Sequence, residues 1–207
     1  MNKIFNIYAV LLKEFGRQHW WPTISKNKQF EIIIGTILTQ NTSWKNVEKS
    51  INNLNKNNLI DINKISKINT KKLASLIKSS GYYNQKAERL KIMAKFLINN
   101  KTLTRNKLLN VKGVGPETAD SILLYAFKKP VFVVDAYTKR IMSRLGYKQE
   151  EYDEFQKLFE KNLPKKYELF NEYHALLVEL AKNYCRKKPL CNNCPIKTFC
   201  SSRKINK

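Results

Sequence analysis

Apolar residues recur at three- and four-residue steps along most of the chain. Near its start they fall at Ile4, Ile7, Tyr8, Leu11, Leu12 and Phe15, which is one face of an amphipathic helix. The same spacing runs through 29–39, 44–54, 70–79, 85–97, 117–127, 135–145, 152–162 and 167–184. Asn69-Thr70 reads as a capped helix start, and Gly81 and Gly146 read as helix stops. The one strand-like run, 131–134, is too short to imply a sheet. The pattern predicts an all-α protein without a fixed internal repeat. Lys128-Lys129-Pro130 is the expected crossover between two helical subdomains.

A chain of 207 residues suffices for one large domain or two small ones sharing a core. Six Gly and six Pro are too few for extensive disorder. Charge changes the picture more: 39 Lys and Arg against 16 Asp and Glu leave +23. Such a surface attracts polyanions, and nucleic acid is the commonest partner, although a Lys- and Asn-rich composition accounts for part of the excess. No apolar run approaches the roughly 20 residues of a membrane helix. The apolar N-terminal stretch lacks a small-residue cleavage site, so the expected location is cytoplasmic, with no membrane partner.

Residues 108–123 read LLNVKGVGPETADSIL. A helix ends, a tight glycine hairpin follows, and a second helix starts at Pro116, a favoured first-turn residue. Gly113 and Gly115 permit close backbone approach. Hairpin N–H groups and a positive helix end then form an anion site suited to a phosphate. Val111, Val114, Ala119, Ile122 and Leu123 would pack the two helices. Asp135 follows four apolar residues and precedes a helical pattern, which by itself describes an ordinary N-cap. All three tryptophans, Trp20, Trp21 and Trp44, lie in the first quarter of the chain, and core packing is the common fate of Trp. All four cysteines lie together as C-x5-C-x2-C-x5-C at Cys185, Cys191, Cys194 and Cys200. That grouping points to a metal and not to disulfides, with zinc and an iron–sulfur cluster both open. His19 and His174 lack metal-ligand spacing.

The V-x-G-V-G-x-x-T-A hairpin, the P-x-x-x-V-D segment ending at Asp135, the L-x-x-Q segment ending at Gln40, the G-Y-Y-N-Q-K-A segment at 81–87 and the four-cysteine loop together resemble the endonuclease III superfamily of helix-hairpin-helix (HhH-GPD) DNA glycosylases. The resemblance spans Trp20 to Cys200. It implies a two-domain all-α fold with a C-terminal iron–sulfur loop. A helical bundle over 25–129 would carry the hairpin, and 1–24 with 130–207 would form the second domain. Asp135 would lie at the interdomain cleft as the catalytic carboxylate, activating water or stabilising oxocarbenium character at the sugar. Lys112, Gly113, Val114 and Gly115 would hold a DNA phosphate. Gln40 would enter the helix near the vacated position, and Tyr82 would act as the wedge.

Bifunctional relatives carry a Schiff-base lysine where this chain has Glu117, and a carboxylate cannot form that adduct. Lys112 sits before the hairpin glycines. The resemblance therefore implies a monofunctional enzyme that leaves an abasic site. Trp-Trp-Pro with Trp44 and Glu117 is similar to the 3-methyladenine branch, in which Trp21, Pro22, Trp44 and Glu117 would line the base pocket. The four cysteines would hold a [4Fe–4S] cluster, with structural zinc as the alternative. The family's first gap is usually six residues and here is five. Arg186, Lys187 and Lys188 in that gap would face phosphates. The expected partner is double-stranded DNA with damaged bases, bound by a monomer. Uracil or mismatched-thymine excision, a bifunctional glycosylase/lyase and a non-catalytic DNA-binding module are the alternatives.

Overall fold

A computed structural model describes residues 2–204. The described residues form helices and connecting turns without a strand. They divide into two compact units, Trp21–Phe127 and the pair Met1–Trp20 with Lys128–Lys207. No described helix is long and apolar enough to cross a membrane.

In the first unit, α2 (Lys28–Leu38) is the central element, buried at every position from Phe30 to Leu38. Its sequence, FEIIIGTIL, is apolar nearly all round, as expected of a helix enclosed by neighbours. Those neighbours are α3 (Trp44–Lys56), α6 (Tyr83–Asn99) and α8 (Pro116–Ser121) with the π-helical turn Ile122–Ala126 that continues it. The short helices α4 (Ile62–Lys67) and α5 (Thr70–Leu76) pack on α6, and α7 (Arg105–Leu109) packs on α8. Asn69 caps α5 as its sequence suggests, accepting from Lys71 N and Lys72 N.

The unit begins at Trp21, a few residues before the expected boundary, and Glu31 supplies a physical reason. Its buried carboxylate accepts hydrogen bonds from the N–H groups of Ile24 (2.9 Å) and Ser25 (2.7 Å). Residues 21–25 are thereby tied to α2.

In the second unit, α1 (Lys3–Phe15) packs on α10 (Tyr152–Asn162) and α11 (Tyr167–Asn183), and α9 (Ala136–Arg144) packs on α11. Phe132 stacks on Phe159 with centroids 3.9 Å apart, and Tyr173 meets both rings edge-on. The buried Tyr173 hydroxyl donates to Ile4 O at 2.8 Å. The extended run 131–134 has no partner strand. Side chains satisfy its backbone instead: Phe132 N donates to Glu160, Phe132 O accepts from Gln156, and Val134 N donates to the Tyr152 hydroxyl. Buried peptide groups need such partners, and these hold the run straight as it leads into Asp135.

Candidate active site and DNA interface

The hairpin lies between α7 and α8. Val111 N and Val114 N donate to the carbonyls of Leu108 and Val111, closing two successive turns. Gly113 has φ +85°, and a Cβ there would run into the side chain of Arg89. The position therefore requires glycine on two counts. Gly115 is the extended N-cap and Pro116 the first residue of α8. The first-turn N–H groups of a helix have no intrahelical acceptors, so this end suits an anion. Lys112 and Gly115 are exposed, while Val114 turns inward as packing.

Gln40 is folded against this hairpin. Its amide donates to Gly113 O (3.1 Å) and Thr118 Oγ1 (3.0 Å), and its Oε1 accepts from the Arg89 guanidinium. Entry of the side chain into a duplex would break these bonds. Tyr82 shows the opposite arrangement. It is 70% exposed and has left-handed backbone (φ +45°, ψ +33°) at the start of α6. Such a conformation is uncommon for a bulky residue, and it holds the phenol ring off the body of the unit. Asn41, next to Gln40, is also left-handed at φ +53°.

Trp21 and Trp44 come together, their ring centroids 5.2 Å apart and nearly perpendicular. Tyr125 lies against Trp21 at 5.3 Å. Tyr125 carries no signal in the sequence, because its place depends on the π-helical turn. Gly35 was missed as well. A Cβ on it would stand 2.8 Å from Trp21 Cζ2, so the glycine admits the indole to the surface of α2. An isolated glycine inside a helical apolar run is the signal that could have pointed to it. Pro22 is exposed beside Trp21, and Glu117 is exposed in the first turn of α8.

In the other unit, Asp135 is the N-cap of α9. Its Oδ1 accepts from Thr138 N (2.7 Å) and Thr138 Oγ1 (2.8 Å). Its Oδ2 faces Nε2 of His174 on α11 at 3.7 Å. Burial holds His174 below the ordinary histidine value of 6.5, and the Asp135 carboxylate opposes that shift. The capping role engages Oδ1 and leaves Oδ2 as a second acceptor, because a carboxylate has two oxygens.

All four cysteines are free thiols lining one cavity of about 170 Å³ with Ile141, Arg144, Leu145, Tyr184 and Ile196. Arg144 Nη1 donates to Cys185 Sγ (3.2 Å) and Arg186 O (2.7 Å), and Arg140 Nε donates to Cys185 O (2.9 Å). Burial and the three neighbouring cysteines push the Cys194 thiol up. Four thiols on one cavity are a soft donor set of the kind that takes zinc or an iron–sulfur cluster, but among the described residues no three His, Cys, Asp or Glu side chains are grouped so as to hold a metal ion. Arg186, Lys187 and Lys188 are exposed on the loop.

Residues 34–165 match the HhH-GPD superfamily of base excision DNA repair proteins. The chain belongs to this family. It is 52% identical to a protein of Methanocaldococcus jannaschii that is a DNA repair glycosylase by name, over 97% of this chain and 96% of that one. It is 32% identical to endonuclease III of Thermotoga maritima over 92% of this chain and 88% of that one. The solved structure of H. pylori 3-methyladenine DNA glycosylase (MagIII) bound to 1,N6-ethenoadenine shares 33% identity with a TM-score of 0.79, covering 87% of this chain and 98% of that one. The protein is thus a DNA glycosylase with the helix-hairpin-helix, endonuclease III-like fold.

Proposed function

We propose that this glycosylase excises alkylated purines of the 3-methyladenine type and leaves an abasic site without cutting the strand. The observation that carries the proposal is the aromatic cluster of Trp21, Trp44 and Tyr125 opened at Gly35. An N3-methylated adenine carries positive charge, and aromatic faces attract cations by about 0.5–2 kcal/mol. That base departs neutral and needs little acid catalysis. The 1,N6-ethenoadenine bound by the H. pylori relative is also a modified adenine.

Each unit supplies part of the work. The hairpin around Gly113 and Gly115 takes a phosphate, with Lys112 adding charge. Tyr82 wedges the duplex as the damaged base leaves the stack. Asp135, its Oδ1 fixed by Thr138, offers Oδ2 to a water or to the developing positive charge on the sugar. Glu117 stands where bifunctional relatives have their lysine, so no amine is available there for a Schiff base.

Cys185, Cys191, Cys194 and Cys200 would hold a [4Fe–4S] cluster, which when bound supplies a rigid anchor for the basic loop and no step of glycosidic hydrolysis. Zinc is the alternative for four thiolates.

The test is release of free base from methylated DNA by wild type and Asp135→Asn, with uracil and mismatched-thymine duplexes in parallel. Release of 3-methyladenine that vanishes in the variant is expected. Excision of uracil or thymine alone would replace the substrate assignment and leave the family intact. Trapping of a covalent adduct by borohydride would overturn the monofunctional reading.

A further inference from the structure

Lys86 is 1% exposed, a rare setting for a lysine. It lies in the first turn of α6. Its Nζ donates to Leu38 O at 2.9 Å and to Ser80 O at 2.6 Å. Each acceptor lies two residues before a residue assigned to the DNA interface, Leu38 before Gln40 and Ser80 before Tyr82. Each also leads into left-handed backbone, at Asn41 (φ +53°) and at Gly81 and Tyr82 (φ +67° and +45°). The backbone N–H of Lys86 donates to Tyr82 O at 3.0 Å. One turn further along α6, Arg89 grips the Gln40 side chain.

A lysine used only to fill space would extend its charge to water. This one is enclosed, and its cation serves as a donor to two carbonyls. Leu38 ends α2, where carbonyls lack intrahelical donors, and Ser80 ends the 3-10 turn Lys78–Ser80. Burial and the nearby Arg89 lower its pKa from 10.5 to about 8, which leaves it mostly charged at neutral pH.

We infer that Lys86 is a positioning residue that locks the Gln40 turn and the Tyr82 loop together, so that the wedge meets the duplex on a rigid support. The inference rests on the proposed role of Tyr82 as wedge. Without the pin the two strained turns relax independently. Tyr82 then loses its outward setting, and base extrusion slows although the pocket and Asp135 are untouched.

The experiment compares single-turnover excision by wild type, Lys86→Met, Tyr82→Ala and the double variant. Each acts on a lesion in duplex DNA and on the same lesion in a single strand, where little unstacking is needed. Lys86→Met is expected to slow excision from the duplex by about tenfold and to leave the single-strand rate within about twofold. Its effect is expected to shrink in the Tyr82→Ala background, the signature of two residues acting as a unit. Lys86→Gln, which keeps two N–H donors, is expected to recover part of the duplex rate, and it replaces the Met variant in every comparison if that one does not fold. Equal losses on duplex and single strand, or strict additivity with Tyr82→Ala, would overturn the inference. A Tyr82→Ala enzyme that opens duplex normally would instead sink the wedge assignment.

Discussion

Oδ2 of Asp135 stands 3.7 Å from Nε2 of His174, just beyond hydrogen-bond reach, while Oδ1 is held by Thr138. Burial depresses the His174 pKa below 6.5, so the imidazole is neutral at pH 7 and does not compete for Oδ2, the oxygen proposed to act on water or the sugar. Between the depressed value and 6.5 the unfolded chain binds more protons than the folded one. Stability therefore rises with pH across that window, is fully present above 6.5 and is lost as pH falls through the folded value. Thermal melting at pH 5 and pH 7 is expected to show a gap that narrows in His174→Asn. Excision should fall in the same acid range, because a protonated His174 would pair with Oδ2. That acid limb should flatten in the variant.

Gly35→Ala opposes two effects. Alanine favours a helix interior by about 1 kcal/mol over glycine, but its Cβ would meet the Trp21 indole. The expected outcome is a protein that folds, with melting changed little, while Trp21 is displaced. Altered tryptophan fluorescence and a raised KM for alkylated duplex would report it. Unchanged kinetics would remove Trp21 from the pocket.

Replacing Trp21 by leucine keeps apolar bulk and removes the π face. A cationic lesion should then lose about 2- to 30-fold in kcat/KM, the worth of a cation–π contact, and a neutral modified adenine should lose less. Equal losses would mean that area alone matters.

Lys112→Ala should weaken binding to any duplex and reduce the slope of log affinity against log salt by about one unit. Lesion preference should be unchanged. Fluorescence anisotropy at several salt concentrations measures both.

Arg144 ties α9 to the cysteine loop through Cys185 Sγ and the carbonyls of Arg186 and Lys187. In Arg144→Ala these acceptors lose a charged donor, a loss of about 1.5–3 kcal/mol for such hydrogen bonds. With the proposed cluster bound, faster loss of visible absorbance during aerobic storage is the expected result, and Cys194→Ser should abolish that absorbance. A zinc content with no such absorbance in the wild type would replace the cluster.

Much of the helical layout was legible because α2, α3, α9, α10 and α11 each bury one face or more at helical spacing. The apolar spacing over 152–162 coincides with the bounds of α10. Helix α4, with six residues, is too short to show periodicity. The helical spacing from Gln85 falls two residues short of the start of α6, because a left-handed tyrosine, and not a standard cap, opens it. The hairpin could be read from its glycines. The Gln40–Arg89–Gly113 contact joins three distant segments, and Lys86 looks like a surface lysine until the fold closes over it.

The Tyr173 hydroxyl bond to Ile4 O spans 169 positions and has a consequence for biogenesis. The Trp21–Phe127 unit is continuous and can fold while the ribosome is still translating the remainder. Helix α1 is made earlier still, yet its apolar stripe of Ile4, Ile7 and Leu11 has no helical partner until α10 and α11 emerge. For most of translation this stripe is exposed to chaperones and to neighbouring nascent chains. Slowing synthesis after Phe127 should therefore lower soluble yield, and an apolar-to-polar change at Ile7 should spare the nascent chain while destabilising the finished unit.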